Sequence, residues 1–160
     1  MRTKFNFEEI YQKNYPKVMR LCLGYVKGDD ALAKDLAQEV FIKIWQSLAN
    51  FREEATISTW VYRITVNTCL LQLRKKKLPH SSKTMDSIIS REEENSSKEN
   101  QLTKMYACIH KLSKENKGII LLELEGLPQK EIAEIMGLSH DTVRVRVHRI
   151  KNSLTKCVKK

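Results

Sequence analysis

Two apolar stripes at helical spacing meet at Met136-Gly137-Leu138-Ser139, and no other feature constrains the fold of this chain as much. Before the junction, Gln129–Met136 reads as a short helix. After it, Val143, Val147, Ile150 and Leu154 recur at i, i+4, i+7 and i+11, the buried stripe of a second helix. Gly137 suits the positive φ of a tight turn, Leu138 packs inward, and Ser139 is placed to cap the following helix. Pro128 suits a first helical turn, because it lacks the N–H that would go unpaired there. Ala133 and Gly137 are small where two helices would cross closely. Such a pair of helices is a helix-turn-helix unit.

Advancing the second helix by about 100° per residue places Asp141, Arg144, Val145, His148, Arg149 and Asn152 on its outward side. His140, Asp141, Arg144 and Val145 occupy its N-terminal half, the part of a recognition helix that reaches base edges in the major groove. Arginine pairs bidentately with guanine, and valine touches a thymine methyl. Isolated exposed apolar residues are common, so Val145 alone says little. Arg146 lies at the edge of the stripe, where it either bridges to Glu131 or Glu134 or holds a phosphate. Lys151, Lys156, Lys159 and Lys160 add diffuse attraction to a polyanion.

The rest of the chain reads as helices too. Residues 79–101, Pro79 to Gln101, are rich in Ser, Lys, Glu and Asn and hold no aromatic residue, so they read as a flexible linker, with transient helix around Arg91-Glu92-Glu93-Glu94-Asn95. They divide the 160 residues into a first domain, 1–78, and a second, 102–160. The net charge of +10 splits accordingly into +6, −2 and +6, two basic blocks around an acidic connector. Basic blocks attract polyanions, which include DNA but also acidic lipid. In the first domain Asn6 with Glu9 resembles a capping box opening a helix at 7–26, with Pro16 expected to kink or restart it. An Asp of the Gly28-Asp29-Asp30 break caps the next helix, 31–48, whose stripe is Ala37, Phe41, Ile44 and Leu48. A turn-like segment, 51–58, leads to a third helix, 59–77. In the second domain, helices are expected at 102–112 and 115–127 ahead of the helix-turn-helix.

Several classes are excluded. No apolar run approaches the roughly 20 residues of a membrane-spanning helix, and the N-terminus carries no secretion signal, so a soluble, cytoplasmic chain without membrane insertion is expected. Cys22, Cys69, Cys108 and Cys157 are separated by 39 residues or more, a spacing that suits neither a zinc knuckle nor a dense disulfide framework. Cys22 and Cys69 read as small core residues. No phosphate loop, nucleophile elbow, metal cluster or cofactor signature is present, so neither an enzyme nor a bound cofactor is expected. Asp29-Asp30 and Glu53-Glu54 are adjacent pairs at helix boundaries, read as caps.

The third helix opens with Trp60, Tyr62 and Arg63, continues to Asn67 and ends in Arg74-Lys75-Lys76-Lys77. Interleaved rings and cations suit single-stranded DNA, since rings stack on bases and lysines track phosphates. Taken alone, these residues favour the plainer account of core aromatics followed by a solvated basic helix end. The order of the segment changes that. Phe7-EEIYQKNYP, Asp35-LAQEVFIKIW and Phe51-REEATISTWVYRITVN resemble region 2 of bacterial sigma factors of the extracytoplasmic-function (ECF, sigma-70-like) type. Glu131-IAEIMGLS, Thr142-Val143, Arg146 and Arg149 resemble region 4 of the same family.

The resemblance implies an all-α protein of two small helical domains, a region 2 bundle and a region 4 helix-turn-helix, joined by a flexible linker that occupies the polymerase's RNA exit path. It implies docking of Asp35, Gln38 and Glu39 on the clamp coiled coil of core RNA polymerase, where an ordinary solvated helix face is the competing account. For the −10 element it implies a base-capturing pocket at 52–58, including Arg52, Ile57 and Ser58. The helix behind that pocket contributes Trp60, Tyr62, Arg63 and Arg74, with Asn67 reading a base; a shaped pocket is what repays the cost of flipping one out. For the −35 element it implies reading by the recognition helix, where Thr142, Arg146 and Arg149 match the family, with Thr142 as phosphate contact or helix cap, and phasing adds His140, Asp141, Arg144, Val145 and His148 to the reading face. The second domain would also grip the polymerase flap, and many members are held by an anti-sigma factor. The chain departs from the family at Lys34, Leu71, Pro128, Asp141, Val145 and the segment beginning at Leu112. A stand-alone helix-turn-helix regulator that never joins polymerase is the alternative function.

Overall fold

The computed structural model describes residues 5–75 and 97–159, and for 97–99 the backbone only. The described residues form seven α-helices and no strand. They are α1 (Phe7–Tyr25), α2 (Asp30–Ser47), α3 (Ile57–Lys75), α4 (Ser97–His110), α5 (Lys114–Leu124), α6 (Gln129–Met136) and α7 (His140–Lys159), with a 3-10 turn at Leu48–Asn50. None is long and apolar enough to cross a membrane. Most of the expected linker lies outside the described residues, as do Lys76, Lys77 and Lys160. Its last five residues, 97–101, already belong to α4, because a polar sequence can extend a helix whose later turns are packed.

In the N-terminal half each helix starts on a side-chain cap. The Asn6 side chain accepts from the Glu8 N–H at 2.8 Å, so Asn6 caps α1 as expected, through the second residue of the helix. Asp29 accepts from Leu32 N–H at 3.2 Å, and Thr56 from Thr59 N–H at 3.1 Å, which starts α3 two residues before the expected Thr59. Pro16 does not restart α1, which runs through it as one helix. Proline removes one backbone hydrogen bond there, and burial of Val18, Leu21 and Cys22 just beyond holds the turn. The expected stripe of α2 is buried throughout at Ala37, Phe41, Ile44 and Leu48, each large apolar member contributing about 1.5–3 kcal/mol relative to exposure.

In the C-terminal half α4, α5 and α6 pack on α7, α6 against α7 being the helix-turn-helix. A disulfide joins Cys108, on the last turns of α4, to Cys157, near the end of α7. The sequence spacing points to no crosslink, yet the packing of α4 on α7 brings the last turns of both helices, 49 positions apart, together. Cys22 and Cys69 are buried as expected, with their sulfurs 3.9 Å apart between α1 and α3.

The halves pack directly on one another, α1 against α4 and α5, and α3 against α6. Glycines let α1 and α5 come close. A Cβ on Gly24 would overlap the Leu121 side chain, and one on Gly118 would lie 2.7 Å from the Tyr25 hydroxyl. Beside this crossing the Glu125 carboxylate, its side chain only 8% exposed, is gripped by Arg20 through Nε at 2.6 Å and NH2 at 2.9 Å. The Tyr62 hydroxyl donates to the same carboxylate at 3.2 Å.

Candidate nucleic-acid interface

The helix-turn-helix is built as its residue types require. Pro128 stands just before α6 rather than within it, at φ −63° and ψ 145°, and its carbonyl accepts from the N–H groups of Glu131 and Ile132. Gly137 adopts φ 73°, and both it and Leu138 return their N–H groups to the Ala133 carbonyl, closing α6. Ser139 then starts α7. Its hydroxyl accepts from Thr142 N–H at 3.1 Å and donates to the Thr142 hydroxyl at 2.8 Å, so Thr142 is part of the cap.

Val143, Val147, Ile150 and Leu154 are all buried, which fixes the rotation of α7. His140, Asp141, Arg144, Val145, His148 and Arg149 consequently face outward, and Val145 is 39% exposed. Arg144 NH2 lies 3.2 Å from an Asp141 carboxylate oxygen, so two exposed side chains of the first turns are held as a pair. Arg146 is half-buried and bonds through NH1 to Glu115 at 2.6 Å and Asn116 at 3.3 Å. Neither Glu131 nor Glu134, the expected partners, takes it; α7 crosses the start of α5 at that level, which puts Glu115 closer. Lys151 is likewise tied, to Glu123 at 3.0 Å, and is more than a diffuse charge.

On α3 and its approach loop, Arg52 is exposed and within 4.0 Å of Glu54, while Ile57 and Ser58 are half-buried. Trp60 is half-buried with its ring 4.7 Å from that of Phe51, which in turn lies 5.4 Å from Phe5. Asn67 and Arg74 are exposed and Arg63 half-buried. Tyr62 is different. It is buried against the C-terminal half, with Lys17 Nζ 5.9 Å from its ring centre. Burial first, and then the Glu125 carboxylate, push its hydroxyl well above the ordinary phenol range, so it is a neutral donor.

On α2, Asp35 and Gln38 are exposed and Glu39 half-exposed. Lys34, which stands where an acid was expected, pairs with Asp30 one turn earlier at 3.3 Å. The surface next to these residues is an apolar one that no sequence motif marks as a groove. Phe7, Tyr11, Tyr15, Phe41 and Trp45 line an open groove of about 490 Å³ between α1 and α2, bordered by Lys34 and Gln38. Trp45 is 64% exposed and Ile42 44%. The available signal was that Ile42 and Trp45 fall off the buried stripe of α2, although large and apolar.

Comparison with known proteins bears on the whole chain. Sigma-70 region 2 matches residues 10–78, and Sigma-70, region 4 matches residues 102–154. The chain is an ECF sigma factor of the sigma-70 family. It is 31% identical to the RNA polymerase sigma factor SigZ of Bacillus subtilis over 154 residues, 93% of this chain and 85% of that one. The ECF RNA polymerase sigma-E factor of Haemophilus influenzae is 32% identical over 167 residues, 92% of this chain and 85% of its own. The fold of the sigma factor RpoE from Bartonella quintana, solved with the anti-sigma factor NepR, superposes with a TM-score of 0.74 at 21% identity, covering 96% of each chain. This sigma factor therefore acts in transcription initiation, binding core RNA polymerase and promoter DNA as its family does, and the family is not enzymatic. Among the described residues no group of three or more His, Cys, Asp or Glu is placed to hold a metal ion.

Proposed function

We propose that this sigma factor directs polymerase to two-part promoters, reading the −35 element with α7 and opening the −10 element with α3 and the loop before it. Residues 1–78 act as the region 2 unit, 102–160 as the region 4 unit and 79–101 as the connector. The observation that carries the −35 part is the rotation of α7: four buried apolar residues leave Asp141, Arg144, Val145 and His148 outward from a capped helix start. Arg144 reads a base, released from or steered by Asp141, while Arg149 adds a phosphate contact. Arg146 contributes by fixing α7 to α5.

For the −10 element, the loop from Arg52 to Ser58 takes a flipped base, Asn67 reads an edge, and Arg63 and Arg74 hold the backbone. Tyr62 takes part only after giving up its bond to Glu125, so this reading requires the two halves to part on polymerase. Core polymerase docks on Asp35, Gln38 and Glu39, and the neighbouring aromatic groove gives the docked coiled coil an apolar seat. The polymerase flap holds the region 4 unit, and a partner of the anti-sigma class, like the one bound by the relative from Bartonella quintana, belongs to the same reading.

Run-off transcription with purified core polymerase over genomic fragments tests the proposal. Promoter-dependent transcripts that require this chain are expected. Specific duplex binding by the free chain, with no transcript and no co-purification with core enzyme, would instead establish the stand-alone regulator.

A further inference from the structure

The four cysteines, far apart in sequence, form two pairs in space that differ in access. Cys22 and Cys69 sit side by side but both are fully buried. The hydrogen bond with Cys22 and burial push the Cys69 thiol well above its ordinary range, so no thiolate is available there. Cys157 is half-exposed on the last turns of α7, between the exposed Lys156 and Lys159, and is bonded to Cys108 of α4. Cationic, partly exposed surroundings are where attacking thiolates are found.

The bond between Cys108 and Cys157 encloses α5, α6 and most of α7, which is the whole helix-turn-helix. A crosslink that closes a long loop restrains the unfolded chain strongly, and a unit of this size has little stability in reserve. Sigma factors work beside polymerase in the cytosol, where thiols are kept reduced and a disulfide is transient or redox-sensing. We propose that Cys108 and Cys157 are a reversible thiol–disulfide pair whose oxidation state sets how firmly the recognition helix is held.

In the oxidising direction the Cys157 thiolate attacks a low-molecular-weight disulfide, forming a mixed disulfide and expelling one thiolate. The Cys108 thiolate then displaces the second small thiol from Cys157. One small disulfide is reduced to two thiols, which carry off the two electrons and two protons given up by the cysteines. In the reducing direction a small thiol attacks at Cys157, the exposed sulfur. The consequence for promoter reading rests on the −35 role proposed above; the pair and its reversibility do not.

The test equilibrates the full-length protein in glutathione buffers of stepped ratio, traps free thiols with a maleimide and weighs the intact chain. One two-thiol step at Cys108 and Cys157 is expected, while Cys22 and Cys69 stay unlabelled until the chain is denatured. Amide hydrogen exchange across 140–159 should be at least tenfold faster in the reduced protein. The double variant Cys108→Ser, Cys157→Ser should exchange at the reduced rate in every buffer. A Cys157 that stays fully labelled at every ratio, or exchange in α7 indifferent to the buffer, overturns the proposal. Loss of −35 duplex binding in both states, with the thiol step intact, would remove the −35 reading and leave the redox pair standing.

Discussion

Replacing Glu125 tests the contact that joins the two halves. Its carboxylate accepts three hydrogen bonds, two from Arg20 and one from Tyr62. Arg20 is 57% exposed, so water takes over its donors when the partner is lost, and its share is small. Tyr62 is 4% exposed, so its hydroxyl is left without an acceptor. A buried, unpaired hydroxyl costs about 1–3 kcal/mol, and the lost charge-assisted bonds add to it. Glu125→Ala should therefore lower unfolding stability by about 2–3 kcal/mol. Glu125→Gln keeps an acceptor and loses the charge, for about 1 kcal/mol, and Tyr62→Phe loses one bond at a similar cost. The Glu125→Ala, Tyr62→Phe double variant should be more stable than Glu125→Ala alone, because it no longer buries an orphan hydroxyl. Urea unfolding followed by helix circular dichroism gives the four values, and the cycle isolates the coupling. The reasoning fails if Glu125→Ala lies within about 0.5 kcal/mol of the parent, or if the two substitutions are simply additive.

Arg144→Ala should relax −35 sequence preference by about 1–3 kcal/mol at one base pair, and a selection from randomised duplexes returning the parental motif would contradict the rotation assigned to α7. Asp35→Ala combined with Gln38→Ala should weaken binding to core polymerase, read by co-purification, while the circular dichroism spectrum stays that of the parent. Partial desolvation, and then Lys117 and Lys27, lower the pKa of His110. The unfolded chain thus binds the proton more readily, and stability should fall as pH drops from the ordinary histidine range toward the depressed folded value. His110→Asn should flatten a melting-temperature series taken between about pH 7.5 and 5. Tyr25 buries a hydroxyl with no partner among the described residues, so Tyr25→Phe should leave stability unchanged or raise it by about 1 kcal/mol in the same urea assay.

What could be read in advance followed from local chemistry. The cap at Ser139, the left-handed Gly137 and the stripe of α7 depend on residues within a turn or two of one another, and the outward set on α7 emerged with them. The pattern of α2 was legible for the same reason, because its burial repeats at helical spacing. What escaped was long-range. Nothing near Cys108 points to Cys157, and nothing near Arg146 points to Glu115, 31 positions away. Tyr62 read either as a base-stacking ring or as a core anchor; it is buried, and only the packing of α3 on the second half shows that its hydroxyl meets Glu125. Trp45 announced itself as a motif residue but not as an exposed wall of a groove, since burial is decided by neighbours on α1.

The close crossing of α1 and α5 has an implication for recombining such proteins. Each helix supplies one glycine, and each glycine receives a side chain of the other helix, Leu121 over Gly24 and Tyr25 over Gly118. A chimera that takes its first half from this chain and its second from a relative would inherit only one member of each pair. Both halves could fold, and promoter choice could follow the donor, yet a bulkier residue at either position would force the helices apart and displace Glu125 from Arg20. Grafting a foreign region 4 onto this chain therefore calls for carrying the two contacting positions of α5 along with the recognition helix.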